Sequence, residues 1–159
     1  MSIELNSHNK NEYPPMHSAE HILNQTMIRM FGCERSKSSH IERKKSKCDY
    51  FLLIAPSAEQ IAEIEYRVNE VITQYLPVSD SLVSRENVPN YIDLSKLPEN
   101  VSQTLRLVYV GEYDICACIG EHVHNTNEIG KFKIISTDFT EGRLRIRFKL
   151  EDCHYVEID

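Results

Sequence analysis

Residues 143–150, RLRIRFKL, alternate basic and apolar side chains without a break, and this period of two is the tightest constraint in the chain. Successive strand residues face opposite sides, so Leu144, Ile146, Phe148 and Leu150 share one face and Arg143, Arg145, Arg147 and Lys149 the other. One face of such a sheet must be covered, and the other stays wet. Lys131 to Ile135 reads as a further strand before the turn at Glu141-Gly142. Leu105 to Val110 and Tyr113 to Cys118, joined through Gly111, read as a hairpin.

The cover comes from two helical segments. From His17 to Phe31, apolar residues at 19, 23, 27 and 30 fall on one face, and Gly32 can end the helix in the left-handed conformation. The second begins with Ser57 as N-cap and Gln60 three residues on, a capping box. It continues with a stripe of Ile61, Ile64, Val68, Val71, Ile72 and Tyr75 and stops before Pro77. Tyr50 to Ala55, ended by Pro56, reads as a buried strand. Residues 33–47 read as a solvated loop or hairpin, and 78–103 as mostly irregular chain with a short strand near Tyr91 to Leu94. This order of elements predicts an α+β fold, a two-layer sandwich of helices against a mainly antiparallel sheet.

A length of 159 residues fits a single domain over 1–159, with 1–13 as a loose lead-in before Pro14 and Pro15. At 41% hydrophobic the chain can bury a core, which excludes wholesale disorder. Its longest apolar run, Phe51 to Ala55, is far short of the roughly 20 residues a spanning helix needs, so no membrane segment is expected. The first residues lack the apolar stretch of a secretory signal and the arginine bias of a transit peptide, which points to the cytoplasm. Five cysteines, at 33, 48, 116, 118 and 153, fit free thiols or metal ligands in a reducing compartment. A formal charge of −6 argues against indiscriminate binding to polyanions, although Arg35, Lys37, Arg43, Lys44, Lys45 and Lys47 form one local basic cluster and the 143–149 strand face another.

His17 and His21 lie one helical turn apart on the same side, and Cys118 and His122 repeat the spacing about a hundred residues later. Imidazole and thiolate suit zinc, and four such donors can complete a tetrahedron. Each pair alone also fits a plainer role, the histidines as surface residues and Cys118 as a small buried apolar group, with Cys116 as a competing donor. Glu20 precedes the second histidine instead of following the first, so this is not a zinc-protease helix. Glycine-rich phosphate loops are absent from a sequence with five glycines.

His17-Ser-Ala-Glu-His21-Ile-Leu23 resembles the His-Thr-x-x-His-Leu-Leu helix of the editing domain shared by alanyl- and threonyl-tRNA synthetases. Cys118-Ile-Gly-Glu-His122-Val-His-Asn125-Thr126-Asn-Glu128-Ile129-Gly130 resembles that family's Cys-Gly-Gly-Thr-His-Val-x-Asn-Thr-x-Glu-Ile-Gly motif. Ile64-Glu65 and Val68-Asn69-Glu70 look like its second helix, Cys48-Asp49-Tyr50-Phe51 falls where it carries Phe-Asp-Phe, and Gly142 to Phe148 looks like its closing strand. In length the chain looks like the short freestanding AlaX type of trans-editing protein, without the glycine-rich subdomain of longer relatives.

The resemblance implies zinc held by His17, His21, Cys118 and His122, and hydrolysis of the ester joining a wrong amino acid to the tRNA 3′ end. Serine or glycine on alanine tRNA is the first substrate expectation, with serine on threonine tRNA behind it. Zinc would either polarise the carbonyl and water or only anchor substrate. Gln25 and Thr126 are candidates to meet the substrate hydroxyl. Lys44, Lys45, Lys47, Arg143, Arg145 and Arg147 are candidates to meet acceptor-stem phosphates. The expected partner is thus tRNA, not DNA or a membrane. Ile119-Gly120-Glu121 departs from the family's Gly-Gly-Thr, which keeps in play an inactive tRNA-binding or regulatory module of the same fold, and behind it a general zinc hydrolase of small esters or amides.

Overall fold

The computed structural model describes residues 13–92, 94 and 104–156. Helix α1 spans Pro14–Phe31, three residues longer at its start than the periodicity predicts. Pro14 and Pro15 occupy its first turn, where a fixed φ helps and the missing N–H costs nothing. Gly32 closes it at φ 66, its N–H donating to Ile28 O at 2.9 Å. The lead-in expected over 1–13 lies outside the described residues except for Tyr13, the N-cap, whose ring packs edge-on against Tyr155 at 5.6 Å.

After α1 come β1 (Ser38–His40), β2 (Ser46–Phe51), helix α2 (Ala58–Ile72), β3 (Val78–Ser84), β4 (Thr104–Val110), β5 (Asp114–Ala117), β6 (Lys131–Thr140) and β7 (Arg143–Glu151). The strands are antiparallel throughout but form two sheets instead of one, ordered β1-β2-β7-β6 and β3-β4-β5. The fold is α+β, with both helices packed on antiparallel sheet. Leu144, Ile146 and Phe148 of β7 are buried with Met16, Ile22, Leu23 and Met27 of α1 and Ile64, Val68 and Ile72 of α2, as the alternation requires.

Several boundaries differ from the sequence expectation. The buried strand is Ser46–Phe51, because β2 pairs residue for residue with β7 from Ser46↔Phe148 to Phe51↔Arg143. Leu53 and Ile54, expected inside, lie beyond that pairing and are exposed. Helix α2 has the expected capping box, Gln60 N–H donating to Ser57 Oγ at 3.1 Å and Ser57 N–H to Gln60 Oε1 at 2.9 Å. It ends at Ile72, so Tyr75, expected in the core stripe, has φ 53 and is exposed. Val78–Ser84, expected irregular, is an edge strand held by β4, and Tyr91 and Ile92 lie in a turn and bend where a strand was expected. Asp93 and residues 95–103 lie outside the described residues.

Helix α2 also closes the free edge of β6. Asn69 Nδ2 donates to Phe132 O and Asn69 Oδ1 accepts the Phe132 N–H, both at 2.8 Å, while Glu65 Oε1 accepts the Ile134 N–H at 2.7 Å. Two side chains one helical turn apart thereby satisfy backbone groups that a neighbouring strand would otherwise bond. Just before β6, Gly130 has φ 85, and a Cβ there would stand 2.5 Å from Glu151 O, so only glycine lets the chain pass.

Candidate metal centre

Helix α1 is buried on nearly every side from Pro14 to Asn24, which draws its polar residues into the interior. Such groups persist there only when each has a partner. Asn24 Oδ1 accepts from Tyr50 Oη at 2.6 Å and from Ser36 N–H at 3.3 Å. His17 and His21 face the loop that follows β5. The backbone places that loop, since Cys118 N–H donates to Arg106 O at 3.1 Å, and Arg106 Nη1 donates to the Cys118 and Gly120 carbonyls.

One potential ligand atom from each of His17, His21, Cys118 and His122 lies within 4.8 Å of all the others. Cys118 Sγ is 3.4 Å from His17 Nε2. The imidazole centroids are 5.0 Å apart for His17 and His21, 4.1 Å for His17 and His122, and 4.3 Å for His21 and His122. Tetrahedral zinc bonds of about 2.0–2.3 Å put neighbouring ligand atoms about 3.3–3.8 Å apart, so the cluster needs only a small contraction. The two helix histidines are buried, whereas Cys118 and His122 are partly open on the loop side.

The far ring nitrogens are oriented from outside the cluster. His17 Nδ1 is 3.0 Å from Glu121 O and His122 Nδ1 is 2.9 Å from Ser18 Oγ, which also accepts the Val123 N–H. His21 Nδ1 faces Asp114 Oδ2 at 3.6 Å. Such outer contacts fix the tautomer and aim the remaining nitrogen at a metal. His122 Nε2 is buried with no hydrogen-bond partner, an orphan that a bound cation would satisfy. Three imidazoles and one thiolate are a zinc donor set, and the residues present fit that ion.

Burial disfavours the Cys118 thiolate, but the positive charge of His21, the hydrogen bond with His17 and the close imidazoles of His122 and His21 outweigh it and hold the thiol far below its usual range. Burial likewise opposes protonation of His17 and His21. The hydrogen bond to Cys118 and its charge raise His17, while the charges of Cys116 and Cys118 and the nearby Asp114 carboxylate raise His21 well above the ordinary imidazole. Burial, then the charges of His21 and His17, depress His122 well below it. The cluster thus gathers a thiolate among imidazoles, the state that accepts a divalent ion on release of protons.

Among the other candidates, Gln25 donates from Nε2 to Asp114 Oδ1 at 2.9 Å and accepts at Oε1 from Arg29 at 3.1 Å, which puts it behind His21. Thr126 is fully buried, and its hydroxyl is committed to Ile72 O and to the Leu76 N–H, both at 2.9 Å. Its structural role is to tie the ligand loop to the end of α2, which leaves no free hydroxyl for a substrate.

The basic strand face is not an open cationic patch. Arg145 grips Asp49 bidentately at 2.8 and 2.9 Å, while Arg147 and Arg143 share Asp138 at 2.8 and 3.6 Å. Arg35, grouped by sequence with the basic loop, is buried and donates to Asp114 and to Ile115 O. Lys44 and Lys45 are exposed between β1 and β2, and Lys47 is half-buried on β2. The hydrogen bonds and charge of Arg145 hold the Asp49 carboxyl below its usual value. A depressed carboxylate stabilises the fold above its unfolded pKa of about 3.9 and loses that contribution as pH falls through the lower folded value. The stability gap between wild type and Asp49→Asn should therefore narrow as urea midpoints are followed from about pH 5 downward, and a constant gap would count against this assignment.

Asp114, Arg35, Ser18 and Glu20 were missed as site residues by sequence reasoning. Glu20 is buried with Oε1 3.8 Å from His17 Nε2. The available signal was an acidic residue two positions before Cys116 in an otherwise apolar strand.

Residues 105–146 match the family described as the threonyl and alanyl tRNA synthetase second additional domain. The chain is 33% identical over 130 residues to an alanine–tRNA ligase of Caldicellulosiruptor saccharolyticus, covering 81% of this chain and 15% of the ligase. The chain belongs to the alanyl- and threonyl-tRNA synthetase editing-domain family. An alanine–tRNA ligase of Methylacidiphilum infernorum is 37% identical over 121 residues, covering 75% of this chain and 13% of the ligase. That of Bacillus subtilis is 29% identical over 161 residues, covering 100% of this chain and 18% of the ligase. The chain thus spans less than a fifth of the length of these relatives. No helix among the described residues is long and apolar enough to cross a membrane.

Proposed function

We propose that this editing-family domain hydrolyses the ester of a mischarged aminoacyl-tRNA, with serine or glycine on alanine tRNA as its substrate. The observation that carries the reading is the convergence of His17, His21, Cys118 and His122 within 4.8 Å, in a chain similar to alanine–tRNA ligases over most of its length. Zinc held there would supply a Lewis acid beside the reacting carbonyl. His17 and His21 wall the buried side, and the partly open Cys118 and His122 leave the loop side for the RNA terminus. A cavity of about 130 Å³ adjoins His122, lined also by Asp80, Arg106, Val108 and His124. A cavity of this size suits a small aminoacyl group.

The test is a panel of aminoacyl-tRNAs incubated with zinc-loaded protein while intact ester is followed. Ser- or Gly-tRNA(Ala) should be deacylated well above the protein-free rate and Ala-tRNA(Ala) spared. Faster loss of Ser-tRNA(Thr) would move the reading to threonine tRNA. Binding without hydrolysis of any ester would favour the inactive tRNA-binding module, a reading supported by four protein donors that together fill a tetrahedral zinc.

Phosphate contact falls to Lys44 and Lys45, because the arginines of β7 are paired with Asp49 and Asp138. Reversing both lysines to glutamate should weaken every tRNA alike and flatten the dependence of affinity on salt. Each lost contact lowers the log–log slope by about 0.7–0.9. An unchanged slope would remove these lysines from the interface.

A further inference from the structure

Asp114 lies on β5 with its side chain fully buried, beneath the metal-facing side of α1. Its two oxygens have separate employment. Oδ1 accepts from Gln25 Nε2 at 2.9 Å and from Arg35 Nη2, which fixes the plane of the carboxylate. Oδ2 has no hydrogen-bond partner, and it faces His21 Nδ1 at 3.6 Å, itself a buried atom with no hydrogen-bond partner. Two orphaned buried polar atoms confronting each other form an incomplete hydrogen bond, and a metal on the far side of the ring completes it by making the Nδ1 proton a stronger donor.

We propose that Asp114 is the positioning residue of His21. It selects the tautomer with the proton on Nδ1, holds the ring so that Nε2 faces Cys118 and His122, and raises the ring's strength as a ligand. His17 and His122 are oriented by neutral oxygens, Glu121 O and Ser18 Oγ. His21 Nδ1 instead faces a carboxylate, and that carboxylate is anchored by Gln25 and Arg35. Arg29 extends the chain to the surface through its bond to Gln25 at 3.1 Å. This assignment rests on zinc occupying the four-donor cluster and is independent of the reaction proposed above.

The test compares Asp114→Asn with Asn69→Ala in the full chain, reading zinc affinity by competition with a chromophoric chelator and ligand geometry by the visible bands of the cobalt-substituted protein. Asp114→Asn keeps the volume and leaves an oxygen for Gln25 and Arg35, but presents an amide N–H to a ring N–H. It should weaken zinc binding by about 10–100-fold, the usual cost of removing such a partner, and shift the cobalt bands. Asn69→Ala removes two hydrogen bonds to the Phe132 backbone, away from the cluster, so it should lower the unfolding midpoint and leave zinc affinity near wild type. Long-range proton–nitrogen spectra of the zinc-loaded wild type need no variant, and they should show His21 protonated on Nδ1. Unchanged affinity and bands in Asp114→Asn, an equal loss in Asn69→Ala, or a His21 protonated on Nε2 would each overturn the assignment. A wild-type protein that takes up no zinc would overturn both this and the metal reading, whereas zinc binding without deacylation would touch the proposed reaction alone.

Discussion

His21→Ala should strip the protein of stoichiometric zinc and bring deacylation of Ser-tRNA(Ala) to the protein-free rate. Loss of an outer partner of a metal ligand commonly costs about 10–100-fold, and loss of the ligand itself should exceed that. The side chain sits on the buried side of the cluster. Asp114 keeps Gln25 and Arg35 when the imidazole is removed, so its charge is not stranded and the loss of stability should be that of removing the ion. Metal analysis, circular dichroism and the tRNA assay on one preparation separate the outcomes. A folded His21→Ala protein that retains one zinc and hydrolyses ester at the wild-type rate would end the zinc reading.

The largest effect on stability away from the metal should come from Asn69→Ala. Truncation leaves both the N–H and the carbonyl of Phe132 without the partners they have at 2.8 Å, beside a ring that is fully buried. An unsatisfied buried backbone group costs about 1–3 kcal/mol, so the pair should amount to about 2–6 kcal/mol, read as a fall in the urea midpoint. Asn69→Asp retains an acceptor for the N–H but sets a carboxylate against the carbonyl, so it should not restore the loss. If Asn69→Ala unfolds within about 0.5 kcal/mol of wild type, the β6 edge is satisfied by other means.

Periodic features were legible in the sequence, and paired charges were not. The capping box of α2 and the alternation of β7 are local patterns with local causes, and both were found where the residues place them. The spacing of His17 and His21 and of Cys118 and His122 supplied two half-sites, and only the packing of α1 against β5 brings them together. Asp114 could not be recognised because its partners, His21, Gln25 and Arg35, lie 79 to 93 residues away, the larger figure being 114 − 21. The same blindness made the β7 arginines look available for phosphate, since Asp49 and Asp138 reach them only through strand pairing. Leu53 and Ile54 show the converse failure. An apolar run reports what could be buried, and the pairing of β2 with β7 decides where burial ends.

The two sheets give the metal site a mechanical meaning. Helix α1 packs into the core of the four-stranded sheet, while Cys118 continues from the last strand of the three-stranded one, so the ligands straddle the seam between them. An ion shared by His17 and Cys118 would rivet points 101 residues apart along the chain. By the entropy of ring closure, a covalent tie over about 100 residues removes about 4.7 kcal/mol of freedom from the unfolded chain. Chelation should therefore loosen one half of the molecule from the other, because the ion would be the hasp that keeps the two sheets shut.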